Sequence, residues 1–246
     1  LMHVALSRDH TYRLLTRPQD VDPKYLVSLV ALEDQWFWSH PGVDPLALLR
    51  AAWQWVSSGH VVSGGSTITM QVARLLEPKP RTVWNKWLEM VRAFQLEWHY
   101  SKPEILTMYM TMLPMGGNVE SVRAAALRYW GVEPKYLSLS EVALLLAVPQ
   151  SPEVRRPDLQ PVFSLRFVQS VARKLVQAGV YPAGDLDETT RLPFERLHAM
   201  PRALWHLAQP WAKAAHGAVA AAMTTEMQST IDPRMQVAAE RLAQRF

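Results

Sequence analysis

Apolar residues recur at three- and four-residue intervals through most of this chain, so helices carry its structure. Asp22-Pro23 sets a capping side chain before a proline at the first helical position and opens a helix through Leu26, Leu29, Val30 and Glu33. Asp44-Pro45 repeats that signal for residues 46–57, with Leu48, Leu49, Ala52, Trp53 and Val56 as the apolar face. Further helices are predicted over 67–76, 82–99, 102–112, 119–130, 141–148 and 163–178. Gly64-Gly65, Pro78, Pro80, Gly116-Gly117-Asn118, Pro149 and Pro152 separate them. Ser138 and Glu141 form a capping box. Residues 1–19 read as short extended pieces, 181–216 are Pro-punctuated, and 224–230 alternate like a strand before Asp232-Pro233 opens a last helix. The expected fold class is mainly α, with short strand segments near the termini.

With 246 residues, 49% hydrophobic and 20% charged, the chain can bury a core, which excludes a disordered class. Its net charge of +4 fits an anionic partner such as phosphate or acidic lipid. It lacks the Lys/Arg stripe of a nucleic-acid binder, so no nucleic acid is expected. Zero Cys excludes disulfides and thiolate metal sites. No apolar run reaches the length of a membrane span, no leader is visible at Leu1, and the chain reads as cut from something longer.

Four clusters carry candidate chemistry. In the first, Glu33 to Asp44, Glu33 follows Leu29, Val30 and Leu32 and is flanked by Trp36 and Phe37, an apolar setting suited to a general base. The plainer alternative is a helix ending on a solvated face, with His40 structural. In the second, glycines and hydroxyls from Ser63 to Thr69 precede Gln71 and Arg74, so a helix start could offer backbone N–H groups to an anion. No Lys-Ser/Thr pair follows the glycines, so this is not a nucleotide P-loop, and a loop with an N-cap is the alternative. The third places Arg81, Asn85, Lys86, Glu89 and Arg92 along one helix edge, which could equally be a solvated salt-bridging face. The fourth, Gly116 to Glu120, could be a turn between helices.

Taken in order, these segments resemble glycosyltransferase family 51, the transglycosylase module of class A penicillin-binding proteins, within it the 1C branch. The likeness rests on Glu33-Asp34 with Phe37, His40, Gly42 and Asp44; on Gly64 to Thr69 with Gln71; and on Lys86 with Glu89. It continues in Tyr100 to Lys102, Glu104 to Leu106, Tyr109, Gly117, Glu120, Ala124 to Ala126, Tyr129 and Gly131, and closes in Leu144 to Pro152. The resemblance implies a lysozyme-like glycosyltransferase fold. It also implies polymerisation of lipid II into β-1,4-linked glycan strands, with inversion and release of undecaprenyl diphosphate. Glu33 would be the base for the acceptor's 4-hydroxyl. Glu89, the second catalytic candidate, would hold the donor's diphosphate region, with room for a divalent cation, Mg or Mn. Arg74, Arg81 and Lys86 would neutralise the leaving diphosphate. Asp34, Phe37, His40, Ser66, Thr67, Gln71 and Glu120 complete the substrate-binding set.

The implied partners are lipid II, nascent glycan, the membrane lipid surface and a transpeptidase domain normally in the same chain. The implied location is the periplasmic face of the bacterial inner membrane. Because the polyprenyl tail stays in the bilayer, an apolar surface must dip into it, and Trp53, Trp55, Trp84 and Trp87 are candidates, Trp53 reading rather as core. The implied division is an extended segment over 1–20, the glycosyltransferase domain over 21–180, a Pro/Ala-rich extension over 181–223 and a linker over 224–246. Met70, Asn85, Thr107 and Thr111 depart from the family's usual residues, and Arg74 replaces a usual Lys. Two alternatives stand beside this one: a lysozyme-like lytic transglycosylase or muramidase using Glu33 as an acid, and a non-catalytic glycan-binding module.

Overall fold

The computed structural model describes residues 4, 7, 9–58 and 65–201; the strand expected over 224–230 and the helix after Asp232 lie outside them. Among the described residues the chain forms α1 (Pro23–Glu33), α2 (Pro45–Ser58), α3 (Ile68–Leu76), α4 (Val83–His99) and α5 (Lys102–Met112). Then follow α6 (Val122–Trp130), α7 (Leu139–Ala147) and α8 (Pro161–Gln177), with 3-10 turns at Pro18–Asp20, Val148–Gln150 and Ala183–Thr190. Strands β1 (Tyr12–Arg13) and β2 (Val119–Glu120) form a parallel pair, Tyr12 beside Val119 and Arg13 beside Glu120.

The capping signals act as the sequence predicts. Asp22 Oδ1 accepts the Lys24 N–H at 2.8 Å and so starts α1, while its Oδ2 accepts the Leu137 N–H at 2.9 Å. One side chain therefore begins a helix and ties it to the segment leading into α7. Helix α7 has no face for water: Val142, Ala143, Leu144 and Leu145 are fully buried. Each such aliphatic side chain larger than alanine contributes about 1.5–3 kcal/mol of transfer free energy. Helices α1 and α8 pack against it, and Ala124, Ala125 and Ala126 keep α6 thin enough to approach the same core closely.

A smaller cluster of Val43, Met70 and Ala93 clamps the segment after α1 to α3 and α4. Here Gly42 has φ +98, and a β-carbon on it would lie 2.7 Å from the Ala93 carbonyl oxygen. Only glycine fits that approach.

One segment differs from the pattern-based reading. Val119 and Glu120 are strand rather than helix, because Ser121 (φ +86) turns the chain and its Oγ caps α6 by accepting the Ala124 N–H at 3.1 Å. The pairing partner lies 107 residues earlier, where no local pattern reveals it. Beyond residue 180, Tyr181 and Met200 belong to the main core, so the described part of 181–223 packs on the helical domain.

Candidate active site

The first two motifs are joined by one buried carboxylate. Asp34 caps the C-terminus of α1 and is 7% exposed. Its Oδ2 accepts the Ile68 N–H at the start of α3 at 2.9 Å, and its carboxylate receives His40 Nε2 at 2.9 and 3.1 Å. The Gly42 N–H donates to His40 Nδ1 at 3.1 Å, so the proton sits on Nε2 and points at Asp34. Thr67 Oγ1 donates to the Gly42 carbonyl at 2.6 Å and accepts the Met70 N–H at 3.1 Å. Two of the donors of α3's first turn, expected to receive an anionic ligand, are thus met by protein oxygens, at Ile68 and Met70. Asp34, His40 and Thr67 face one another within the wall and hold α1 against α3.

That clip sets Glu33 at the end of α1 opposite Gln71 and Arg74 on α3. Glu33, Gln71, Arg74 and Arg81 line one cavity of about 260 Å³ with Leu29, Leu75, Tyr109, Leu145 and Gln150. Glu33 Oε2 accepts the Gln71 amide at 3.0 Å, and Oε1 accepts the Gln150 amide at 3.3 Å. The hydroxyl of Tyr109 donates to Gln71 Oε1 at 3.2 Å. The apolar surface beside Glu33 is therefore Leu29, Tyr109 and Leu145 from three helices. It is not the expected Trp36 and Phe37: Trp36 is 57% exposed, and Phe37 is fully buried in the core under the Lys102 ammonium. Behind Glu33, Tyr25 is fully buried and its hydroxyl has no hydrogen-bond partner among the described residues. Burial, then the charge of Glu33, pushes the Tyr25 and Tyr109 phenols above the usual tyrosine range.

Next to the cavity lies a line of alternating charge. Arg74 Nε is 3.5 Å from Glu89 Oε1, Lys86 Nζ is 3.1 Å from Glu89 Oε2, and the same ammonium donates to Ser66 Oγ at 2.5 Å. Burial pulls the Lys86 pKa below the ordinary lysine range; Glu89 opposes this, and Arg74 and Arg81 add repulsion. Two cations flank the Glu89 carboxylate and Arg81 stands close enough to repel one of them, so the local positive potential is one an incoming anion would relieve. Glu89 does not line the Glu33 cavity itself; Arg74, which does, connects the two acids. Both Glu89 oxygens are engaged by cations, and no three carboxylate or imidazole groups converge among the described residues, so a divalent cation at Glu89 would draw its other ligands from substrate phosphate and water.

Glu120 lies elsewhere: on β2, it pairs with Arg13 at 2.5 Å and does not line the cavity. The four departures also stay out of the cavity lining. Met70 is in the small core, the Asn85 amide donates to the Pro80 carbonyl, Thr107 bonds within its own helix, and Thr111 Oγ1 accepts the Thr16 N–H. Tyr109 and Gln150 are site residues that no local chemical signature marked out. Both stand in the segments that carry the family likeness, which was the one available signal.

Residues 2–176 match the family described as Transglycosylase. The chain is 40% identical over 238 residues to penicillin-binding protein 1C of Escherichia coli, covering 97% of this chain and 30% of that protein. It is 34% identical over 176 residues to penicillin-binding protein 1A of Aquifex aeolicus, covering 71% and 24%. It is 35% identical over 161 residues to penicillin-binding protein 1A of Pseudomonas aeruginosa, covering 65% and 20%. The chain thus spans less than a third of the length of these relatives. Its mainly helical architecture, its motif order and the extent of this match lead to one assignment: the chain belongs to the transglycosylase family.

Proposed function

We propose that this chain is a peptidoglycan glycosyltransferase, polymerising lipid II into β-1,4-linked glycan with inversion and release of undecaprenyl diphosphate. The observation that carries this reading is a carboxylate, Glu33, sharing one cavity with Arg74 and Arg81, and Arg74 leading on to Glu89 and Lys86. The acceptor's 4-hydroxyl gives its proton to Glu33 as its oxygen bonds to the donor's anomeric carbon. The bond from that carbon to the diphosphate oxygen breaks on the opposite face, so an α-linked donor yields a β-linked product. Arg74, Arg81 and Lys86 take up the charge that develops on the departing diphosphate, and held in advance they need no reorganisation. Glu89 keeps Arg74 and Lys86 in place between turnovers. A lysozyme-like hydrolase, whose leaving group is an uncharged sugar hydroxyl, has no use for these cations.

The substrate's lipid requires an apolar landing surface, and α4 offers one beside the cations. Val83 is 91% exposed, Trp84 is 65% exposed, and the Trp84 and Trp87 rings stack at 5.2 Å. Trp53, expected in the core, is 73% exposed and suits the same role, whereas the Trp55 side chain is outside the described residues. No helix among the described residues is long and apolar enough to cross a membrane. We assign this face to the periplasmic leaflet of the bacterial inner membrane and its neighbour in the longer protein to a transpeptidase domain.

The test is polymer formation from lipid II by the reconstituted chain. Polymer is expected, with a loss of at least about a hundredfold in Glu33→Gln, in line with removal of a general base. Undiminished polymer in that variant, or cleavage of finished glycan in place of polymerisation, overturns the assignment.

A further inference from the structure

Each oxygen of the Glu33 carboxylate receives an amide N–H, from Gln71 on one side and Gln150 on the other. A glutamine amide has donors at one corner and an acceptor at the other, and a half-turn exchanges them. Which corner meets Glu33 is therefore decided by the group holding the opposite corner. For Gln150 that group is Arg155, whose Nη1 lies 2.7 Å from Gln150 Oε1. A guanidinium only donates, so the carbonyl of Gln150 must face Arg155 and its NH2 must face the base.

Arg155 is itself held on several sides. Its Nη1 also donates to the Ala147 carbonyl at the end of α7 at 3.0 Å, and its guanidinium lies 3.9 Å from the Phe167 ring centroid on α8. Ser164 Oγ donates to its backbone carbonyl at 2.7 Å. Among the described residues the buried Nε has no hydrogen-bond partner, so this placement is kept even though one donor is left unused. The outcome is a relay from the α7–α8 junction to the reacting carboxylate, on the side opposite the Tyr109–Gln71 pair.

We propose that Arg155, acting through Gln150, is a positioning residue for Glu33. It sets the carboxylate plane, so that the lone pairs not used by Gln71 and Gln150 point at the acceptor hydroxyl. Donors on both oxygens match a carboxylate that accepts a proton rather than a carboxyl that gives one. The inference rests on Glu33 being the base.

The experiment measures steady-state polymerisation of lipid-linked disaccharide by the whole chain. Gln150→Leu, Arg155→Met, the double variant, Arg155→Lys and Glu33→Gln are compared with the unaltered protein. Misplacing a reacting group by an ångström can cost up to about a hundredfold, and loss of one of two holds is expected to lower kcat about tenfold with KM within about twofold. Because Arg155 works through Gln150, the double variant is expected to be no slower than either single one. Arg155→Lys, which restores a donor to Gln150 Oε1, is expected to recover most of the rate. Gln150 is exposed, so its leucine variant keeps the fold and the test survives if Arg155→Met does not. Full kcat in Gln150→Leu overturns the inference, as does a double variant about a hundredfold slow, which would make Arg155 a structural strut. An active Glu33→Gln strikes the underlying base assignment instead; an inactive one beside a fully active Gln150→Leu strikes only the relay.

Discussion

Replacing Asp34 with alanine tests how the two halves of the site are held together. The carboxylate is the acceptor for two buried donors, His40 Nε2–H and the Ile68 N–H, and alanine strands both. A buried donor without a partner costs about 1–3 kcal/mol. Two stranded donors therefore cost about 2–6 kcal/mol, and a loss of about 4 kcal/mol is expected. For a domain of this size each kcal/mol moves Tm by about 2–4 °C, so Asp34→Ala is expected to melt about 8–16 °C lower. Asp34→Asn keeps the volume and one acceptor but turns an NH2 toward one of the donors, so about half that loss is expected. Urea titration followed by circular dichroism reads the difference, the midpoint falling while the slope stays constant. A cycle with His40→Ala separates the pair from the general effect of truncation, with a coupling above about 1 kcal/mol expected. Activity is expected to fall further than stability requires, because Glu33 is the residue before Asp34 and Gln71 lies one turn beyond Ile68. An alanine variant that unfolds at the wild-type urea midpoint would refute the claim that this clip joins α1 to α3.

Other consequences can be measured separately. Arg74→Met removes the cation shared by the cavity and Glu89, and kcat for polymerisation is expected to drop about 10²–10³-fold with the circular dichroism spectrum unchanged. Gly42→Ala must keep φ +98 and press a methyl onto the Ala93 carbonyl, so a loss of about 1–3 kcal/mol is expected in the same urea assay. The Tyr25 and Tyr109 phenols are raised by burial, so the folded state holds their protons more tightly than the unfolded state. That stability is complete below the unfolded tyrosine value near 10 and is lost as pH rises above it. Tm is therefore expected to fall steeply above about pH 10, and less steeply in Tyr25→Phe, which also gives up an unpartnered hydroxyl and should match the parent at pH 8. Replacing Trp84 and Trp87 with serine is expected to weaken binding to anionic vesicles at least about tenfold in a sedimentation assay; undiminished binding would move the lipid-facing surface off α4.

Local chemistry wrote most of the helices into the sequence. Asp22 and Ser138 cap where the pattern says they should, because a cap and its N–H partners lie within three residues. The order of the motifs carried the family, and with it Glu33, Gln71, Arg74, Arg81, Lys86 and Glu89 as a charged set, most of which gathers in or beside one cavity. Glu120 went with the β pair instead, since Arg13 offers it a partner at 2.5 Å. Only the tertiary structure decided that Asp34, His40 and Thr67 bond within the wall between α1 and α3, that Leu145 of α7 rather than Trp36 lies beside Glu33, and that Gln150, itself held by Arg155, reaches it. Most of those contacts join distant groups, from 25 positions apart for Thr67 and Gly42 to 117 for Gln150 and Glu33. Periodicity and capping record which face of each helix is apolar, but the angle and register at which two such faces meet come from side-chain shape summed over the whole core.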